Sequence, residues 1–217
     1  MQSRCLVIAG GEIKDYSWHR GFISPQDFII CADGGANHAF KMGLTPNLVV
    51  GDLDSIDPLV ERELRAAGCS FLVYPREKDQ TDLQLALAEA VKRFPRKVIV
   101  LGGLGARLDH TLANIALLLP MAERGIDIKL VDQTQEIGVL YGPAQVKVEG
   151  EVGDLVSLLP LSKTVTGVTL VGFYYPLFQT TLVAGDTLGI SNQITADQAQ
   201  VNLQSGALLV IKTKPGT

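Results

Sequence analysis

Short apolar runs separated by helix-like segments occupy the first 132 residues. The clearer runs are continuous rather than alternating, as expected for strands of a parallel sheet that is covered on both faces. Between the runs, apolar side chains recur at helical spacing, most clearly over residues 81–94. Strands that alternate with helices predict βαβ units. The candidate strands are residues 4–9, 27–31, 48–50, 70–74, 97–101 and 127–131.

The pattern changes at residue 133. The following segment contains strand-like pieces interrupted by Gly, Pro and Asn, and no convincing helix. Few of its residues are charged, which suits either a buried subunit interface or a well-covered sandwich core. We therefore predict an α/β amino-terminal domain with a mainly parallel sheet over residues 1–132, and an all-β carboxy-terminal sandwich over residues 133–217. The candidate strands of the second domain are residues 144–148, 155–159, 164–171, 180–183 and 207–213.

Composition narrows the possible functions. The chain has 217 residues, 47% of them hydrophobic, and a net charge of −4, which argues against disorder and against binding nucleic acid by neutralising its phosphates. No apolar run approaches the roughly 18 residues that would cross a bilayer, and the first run is too short for a secretory signal. Three widely spaced cysteines, Cys5, Cys31 and Cys69, are typical of a reducing compartment. We expect a cytoplasmic protein without a nucleic-acid or membrane partner.

Acidic and glycine-rich clusters follow five of the predicted strands, at the positions where open α/β sheets bind ligands. Carboxylates gathered at this edge would repel one another unless a cation lay between them. Asp52 and Asp54, at i and i+2 after a strand, form with Asp82 at a helix start a hard oxygen site suited to Mg²⁺. Because Mg²⁺ recruits phosphate oxygens, the cluster indicates a metal–nucleotide ligand. The six carboxylates at this edge are Asp33, Asp52, Asp54, Asp79, Asp82 and Asp109.

Each cluster has a simpler explanation when it is taken alone. Asp79 and Asp82 suit an acidic helix start, and a glycine pair after a strand is usually a turn. The glycine-rich loop at residues 102–105 leads into a predicted helix near Asp109, so its amides are placed to meet phosphate oxygens, with Arg107 as the embedded cation. Neither the P-loop pattern nor a dinucleotide-binding Gly-x-Gly-x-x-Gly with its ribose-binding acid is present.

In their order along the chain, the clusters resemble the thiamine pyrophosphokinase family, whose members transfer a pyrophosphoryl group from ATP to thiamine. The resemblance covers nearly the whole chain and continues through residues 157–162, 165–169 and 189–192. It implies ATP and thiamine as ligands, and a homodimer that holds thiamine between its subunits. The residues that carry it in the first domain are Asp33-Gly34-Gly35-Ala36-Asn37, Gly51-Asp52-Leu53-Asp54-Ser55-Ile56, Asp79-Gln80-Thr81-Asp82 and residues 102–114.

The resemblance also implies roles for individual residues. The ligands of a Mg²⁺ ion would be Asp52, Asp54 and Asp82. The reacting groups would be handled by Asp79, Asp109 and Arg107, with either Asp79 or Asp109 accepting or orienting the hydroxyl proton of thiamine. The contacts to ATP would be Asp33, Gly34, Thr81, Gly102, Gly103, Gly105 and Arg107. The contacts to thiamine would be Asn37, Asp109, Ser191 and Asn192.

Several points stay open at the level of sequence. Ala106 stands where many family members have a further glycine, which removes a little backbone freedom. Tyr174 and Tyr175 suit either stacking on thiamine or the core of the sandwich, and Trp18 is expected to be a surface or packing residue. Two other functions compete: a non-catalytic binding protein on the same fold, and a metal-dependent glycosyltransferase with an Asp-x-Asp motif. The glycosyltransferase explains the paired aspartates but not the later motifs.

Overall fold

Two structural units make up the chain. The computed structural model describes residues 4–93, 96–105 and 107–216. The first unit contains Met1–Leu117 and Ile126–Gln133, and the second contains Leu118–Gly125 and Thr134–Thr217. Strands alternate with helices in the first unit, whereas strands dominate the described residues of the second. The predicted fold class is therefore confirmed.

Six parallel strands form the sheet of the first unit. Their bounds are β1 (Cys5–Ile8), β2 (Phe28–Ala32), β3 (Leu48–Gly51), β4 (Ser70–Val73), β5 (Lys97–Leu101) and β6 (Asp127–Val131). They are arranged in the order β4-β3-β2-β1-β5-β6, with every pairing parallel. The central strand β1 is fully buried along its length, which explains why its sequence is continuously apolar. All six predicted strands are confirmed to within one residue at each end.

Five helices of the first unit lie between these strands in the described part of the chain. They are α1 (Tyr16–Phe22), α2 (Gly35–Lys41), α3 (Pro58–Ala66), α4 (Asp82–Arg93) and α5 (Leu108–Ala116). The predicted helix over residues 81–94 is confirmed as α4, with residue 94 outside the described part of the chain. The Thr81 hydroxyl caps this helix by accepting a hydrogen bond from the Gln84 N–H at 3.2 Å. Asp82 in the first turn is therefore left available for other contacts.

The second unit is a sandwich of two antiparallel sheets. Its elements are α6 (Leu118–Ala122), β7 (Gln135–Tyr141), β8 (Ala144–Val148), β9 (Leu155–Pro160), β10 (Thr164–Val171), β11 (Thr180–Val183), β12 (Asn192–Gln193), β13 (Ala199–Leu203) and β14 (Ala207–Thr213). One sheet has the order β12-β9-β14-β7, and the other has the order β11-β10-β13-β8. Leu158 and Leu208 of the first sheet and Val165 and Val201 of the second belong to one buried core, so apolar burial joins the two sheets.

Three strands of this unit are absent from the sequence prediction. In β7 only Ile137 is buried, and most of the other residues are half-buried. The sequence of this strand, which includes Gly138, therefore shows neither a continuous apolar run nor an alternation of apolar and polar residues. The strand β13 does alternate, with Ala199, Val201 and Leu203 buried, and this signal could have been found. The strand β12 has two residues, too few for any periodicity. None of the helices in the described part of the chain is both long and apolar enough to cross a membrane.

Candidate active site

A pocket of about 780 Å³ lies at the carboxyl ends of the parallel strands of the first unit. The loops that follow β1, β2, β3, β4 and β5 line it, together with the starts of α4 and α5. This is the edge at which open α/β sheets bind their ligands. The lining residues that matter below are Gly11, Asp33, Gly34, His38, Arg76, Lys78, Thr81, Asp82, Gly102, Gly103, Gly105 and Arg107.

Three carboxylates converge at this edge. One oxygen from each of Asp33, Asp52 and Asp82 lies within 4.8 Å of the others, and we call these residues the acidic triad. Asp33 is 5% exposed, and its Oδ1 has no hydrogen-bond partner among the described residues. Burial, and after it the charges of the other carboxylates, raise the pKa of Asp33. A buried carboxylate oxygen without a partner, facing two further carboxylates, is a donor set suited to a hard cation.

Backbone geometry allows the triad to form. Asp33 adopts a left-handed conformation, with φ of 42°, and its N–H donates to the Val50 carbonyl at 2.9 Å. Gly51 is needed because a Cβ there would lie 2.8 Å from the Asp33 Cβ and 3.1 Å from the Asp82 Oδ1. Gly35 is needed because a Cβ there would overlap the Ile8 carbonyl. Glycine at these positions lets three loops approach one another closely.

Lys78 is the cationic neighbour of the triad. Its Nζ lies 2.7 Å from the Asp52 Oδ2 and 3.1 Å from the Asp82 Oδ1. The hydrogen bond from Lys78 lowers the pKa of Asp52. Burial lowers the pKa of Lys78, but the bonds to Asp52 and Asp82 outweigh it, so that the net shift is upward. Sequence reasoning missed Lys78, because it lies in the loop before α4, where a spacing of four residues from Asp82 does not by itself predict an ion pair.

The other predicted acidic residues lie outside the triad. Asp54 is exposed; its carboxylate accepts a hydrogen bond from the Ser55 hydroxyl at 2.9 Å and lies 3.5 Å from the Arg76 Nε. Asp79 is exposed in the loop before α4. Asp109 is exposed as well and pairs with Arg107, with 2.6 Å between Nη2 and Oδ2. The structure therefore gathers only three of the six carboxylates tightly.

The Arg107–Asp109 pair lies beside the glycine-rich loop. The hydrogen bond from Arg107 lowers the pKa of Asp109, so this carboxylate stays ionised at neutral pH. Gly102 has φ of 64°, and a Cβ there would lie 2.5 Å from the Ala9 carbonyl oxygen. The loop is held in place by the Asn114 Nδ2, which donates to the Gly103 carbonyl at 2.7 Å, and by bonds from residues 11 and 12 to carbonyls of the loop.

The predicted thiamine contacts have structural partners. The Asn37 side chain donates to the Ser55 carbonyl at 2.9 Å and accepts from the Asp57 N–H at 3.0 Å. In the second unit, the buried Asn192 side chain accepts from the Tyr175 N–H at 3.0 Å and donates to the Tyr175 carbonyl at 2.8 Å. Ser191 is exposed and has φ of 54°. Each asparagine side chain therefore fixes a backbone segment that is distant in sequence, at Ser55 and Asp57 for Asn37 and at Tyr175 for Asn192.

His38 is a further lining residue that sequence reasoning missed. Its Nε2 lies 2.8 Å from the Gly11 carbonyl and its Nδ1 lies 2.8 Å from the Tyr16 hydroxyl. A carbonyl only accepts, so Nε2 carries the proton, and the neutral ring accepts at Nδ1 from the Tyr16 O–H. Burial lowers the pKa of His38, which favours this neutral form. The ring thus ties the turn after β1 to α2.

The first unit is, by its fold and site, an α/β ligand-binding domain, joined in one chain to a β-sandwich. The family model "Thiamin pyrophosphokinase, catalytic domain" matches residues 20–130, and "Thiamin pyrophosphokinase, vitamin B1 binding domain" matches residues 144–208. The chain belongs to the thiamin pyrophosphokinase family. It is accordingly an enzyme, a thiamine diphosphotransferase, and the glycosyltransferase and non-catalytic alternatives are set aside.

Relatives support this assignment along the whole chain. The thiamine pyrophosphokinase of Bacillus subtilis is 32% identical over 208 residues, which cover 95% of this chain and 97% of the relative. The crystal structure of the Bacillus subtilis protein superposes with a TM-score of 0.88 at 29% identity, covering 98% of this chain and 99% of that one. The thiamin pyrophosphokinase of Geobacillus thermodenitrificans gives a TM-score of 0.85 at 28% identity, covering 99% of each chain.

We expect His38→Gln to reduce the acid sensitivity of folding. Because the pKa of His38 is lower in the folded protein, the unfolded chain binds the proton first as pH falls below about 6.5. The native state loses stability in that range. Glutamine does not titrate, so the fall in melting temperature between about pH 8 and about pH 5.5 should be smaller in the variant than in the wild type.

The exposed His110 provides the control. His110→Gln should leave the fall in melting temperature unchanged. His38→Gln should also melt at a lower temperature than the wild type at high pH, since each lost hydrogen bond costs about 1 kcal/mol. An equal acid-induced fall in wild type and His38→Gln would contradict a neutral His38 in the native state.

Proposed function

We propose that the pocket of the first unit binds ATP with Mg²⁺, and that the enzyme transfers the pyrophosphoryl group to the hydroxyl of thiamine and releases AMP. The observation that carries this proposal is that two members of the acidic triad, Asp82 and Asp33 with its unpartnered Oδ1, line the same pocket as the glycine-rich loop. Carboxylates alone would repel ATP. A divalent ion bound between the carboxylates and the phosphates would remove this repulsion, so that one pocket can hold both groups.

The acidic triad supplies the proposed metal ligands. Asp52 and Asp82 are expected from the sequence, and the structure supports Asp33 as their partner. Asp54, the third ligand expected from the sequence, would have to leave Ser55 and Arg76 to join them. When bound, Mg²⁺ would act as a Lewis acid on phosphate oxygens and offset their charge.

Phosphate binding is assigned to the loop at residues 102–105, to Arg107, and to Gly34 and Thr81. Transfer of a phosphoryl group depends mainly on positioning and electrostatic stabilisation. Hydrogen bonds from Asn114 and from residues 11 and 12 help to fix the position of the loop. The Thr81 oxygen accepts from the Gln84 N–H, which leaves the hydroxyl proton of Thr81 free to be donated to a phosphate. The guanidinium of Arg107 offers further donors beside those bonded to Asp109.

The hydroxyl of thiamine is assigned to Asp109 and Asp79. A carboxylate whose pKa is lowered by a neighbouring arginine is a weak base. Asp109 is therefore suited to orient the hydroxyl by accepting a hydrogen bond from it. Asp79 lies beside Lys78 in the loop before α4 and is the second candidate for the same task.

The second unit is assigned to thiamine binding and to homodimer formation. It exposes a group of large apolar side chains, and the buried Asn192 fixes the backbone of one of them, Tyr175. Exposed apolar side chains in such numbers favour contact with a partner surface, and we propose a second copy of the chain, with thiamine near Ser191 and Asn192. The side chains of this group are Tyr174, Tyr175, Phe178, Leu188 and Ile190.

Sedimentation of the protein should show a dimer. A stable monomer would contradict the proposed homodimer.

A reducing compartment, the cytoplasm, is proposed from the cysteines. Cys5, Cys31 and Cys69 are all free, and the first two are buried. Burial raises the pKa of Cys5 to about 12 and also raises that of Cys31. Thiols of this kind are unreactive and serve as small apolar side chains.

Product analysis tests the reaction. The protein is incubated with ATP, Mg²⁺ and thiamine, and the products are separated by chromatography. The proposal requires AMP and thiamine diphosphate in equal amounts. Formation of ADP and thiamine monophosphate would indicate a simple kinase instead, and omission of thiamine should abolish AMP release.

We expect Asp52→Asn to lower turnover by at least about 100-fold, the size of effect seen when one electrostatic group of a transition state is removed. The loss should be partly reversed by raising the Mg²⁺ concentration, because the weakened site then fills. The measurement is the rate of AMP formation as a function of Mg²⁺. Asp127→Asn, at the opposite edge of the sheet, should leave both rate and metal dependence unchanged.

Arg107→Ala should lower kcat by about 100- to 1,000-fold, by analogy with loss of a transition-state donor. Stability should hardly change, because its ion pair with Asp109 is exposed. The matched control is Arg96→Ala, which removes an exposed arginine at the amino end of β5. Near-normal turnover in Arg107→Ala would refute its assignment as a phosphate contact.

A further inference from the structure

Lys78 forms ion pairs with two of the three carboxylates that are proposed to bind the metal ion. Its side chain is only 13% exposed, and its ammonium group contacts two members of the acidic triad, Asp52 at 2.7 Å and Asp82 at 3.1 Å. The two carboxylates come from different loops, after β3 and at the start of α4. The ammonium therefore neutralises part of the charge that a divalent ion would neutralise, and it bridges the same two loops.

A metal ion and this ammonium would compete for the same carboxylates. The Asp52 Oδ2 accepts a hydrogen bond from Lys78, and the Asp82 Oδ1 forms an ion pair with it. Both oxygens therefore have less lone-pair density to offer to a bound ion while Lys78 is in place. Two positive centres a few ångströms apart also repel each other strongly in a partly buried site. Two buried oxygens of the triad, the Asp33 Oδ1 and the Asp82 Oδ1, have no hydrogen-bond partner among the described residues. The Asp82 Oδ1 meets Lys78 only in the 3.1 Å ion pair, so both oxygens remain available to a ligand.

The pocket offers Lys78 an alternative position. Lys78 lines the same pocket as the glycine-rich loop and Arg107, the groups assigned above to phosphate. A lysine side chain has a flexible four-carbon stem and three rotatable donors, so its ammonium can exchange a carboxylate oxygen for a phosphate oxygen without movement of the backbone.

We propose that the ammonium group of Lys78 takes the place of the metal ion while no ion is bound, and holds Asp52 and Asp82 together. When the ion binds, this ammonium group moves to the phosphates of ATP. This inference rests on the proposed metal–ATP site. The metal alone must displace the lysine without compensation and therefore binds weakly. The nucleotide supplies new acceptors for the lysine, so metal and nucleotide strengthen each other's binding, and by linkage they do so reciprocally.

The test measures binding of Mn²⁺, a spectroscopic substitute for Mg²⁺, to the full chain by electron paramagnetic resonance. Wild type is compared with Lys78→Met and Lys78→Gln, first without nucleotide and then with α,β-methylene ATP, which resists cleavage at the reacting bond. Both variants should bind Mn²⁺ alone at least about 5-fold more tightly than wild type, the lower end of typical coupling between two ligands. They should also gain less affinity from the nucleotide. Lys78→Gln keeps a hydrogen-bonding side chain in case the methionine variant folds poorly.

Arg76→Met is the matched control. Arg76 is two residues away, its side chain is 83% exposed, and its ion pair is with Asp54 rather than with a member of the triad. Its loss should change the affinity for Mn²⁺ alone far less than loss of Lys78 does. An equal gain in Arg76→Met would show a general effect of charge and overturn the role of Lys78.

The outcomes separate the inference from the function on which it rests. Unchanged or weaker binding of Mn²⁺ alone in both Lys78 variants, with normal binding in the presence of nucleotide, would overturn the inference and leave the metal–ATP site intact. Failure of the wild type to bind Mn²⁺ even with nucleotide present would overturn the proposed metal site, and the inference with it.

Discussion

Repulsion among Asp33, Asp52 and Asp82 is the constraint around which the first unit is arranged. Burial, and after it the like charges of the neighbouring carboxylates, raise the pKa of the most buried member, Asp33. The single charge of Lys78 offsets only part of the excess negative charge. The net charge of the whole chain is only −4. The concentration of carboxylates at this edge, rather than the total charge, therefore determines which ligands the pocket can bind. The pocket suits an anionic ligand only when a cation accompanies it.

The parallel sheet makes this concentration of charge possible. Its strands all end at one edge, so the loops after β2 and β3 and the start of α4 meet there. Close approach then depends on backbone details: the left-handed Asp33 and the absence of a side chain at Gly51. The buried apolar strands beneath hold the loops in register, which gives the carboxylates little freedom to move apart.

Sequence reasoning recovered the sheet and its ligand-binding edge because continuous apolar runs and the acidic clusters after them are local signals. It did not recover which carboxylates meet. Asp54 looked equivalent to Asp52, but its side chain turns to Ser55 and Arg76, whereas Asp33 joins the triad through a loop conformation that no periodicity encodes. His38 was missed because its partners, Gly11 and Tyr16, are distant in sequence. Lys78 was missed because its contacts with Asp52 and Asp82 depend on the conformation of the loop before α4.

The measurement that tests the metal–nucleotide site most directly is a crystal structure of the protein with Mn²⁺ and α,β-methylene ATP, in which anomalous scattering locates the ion. We predict an ion bonded to Asp33, Asp52 and Asp82 and to phosphate oxygens, with the phosphates beside the loop at residues 102–105. An ion bound elsewhere, with the nucleotide in place and the triad still free of metal, would contradict the assignment.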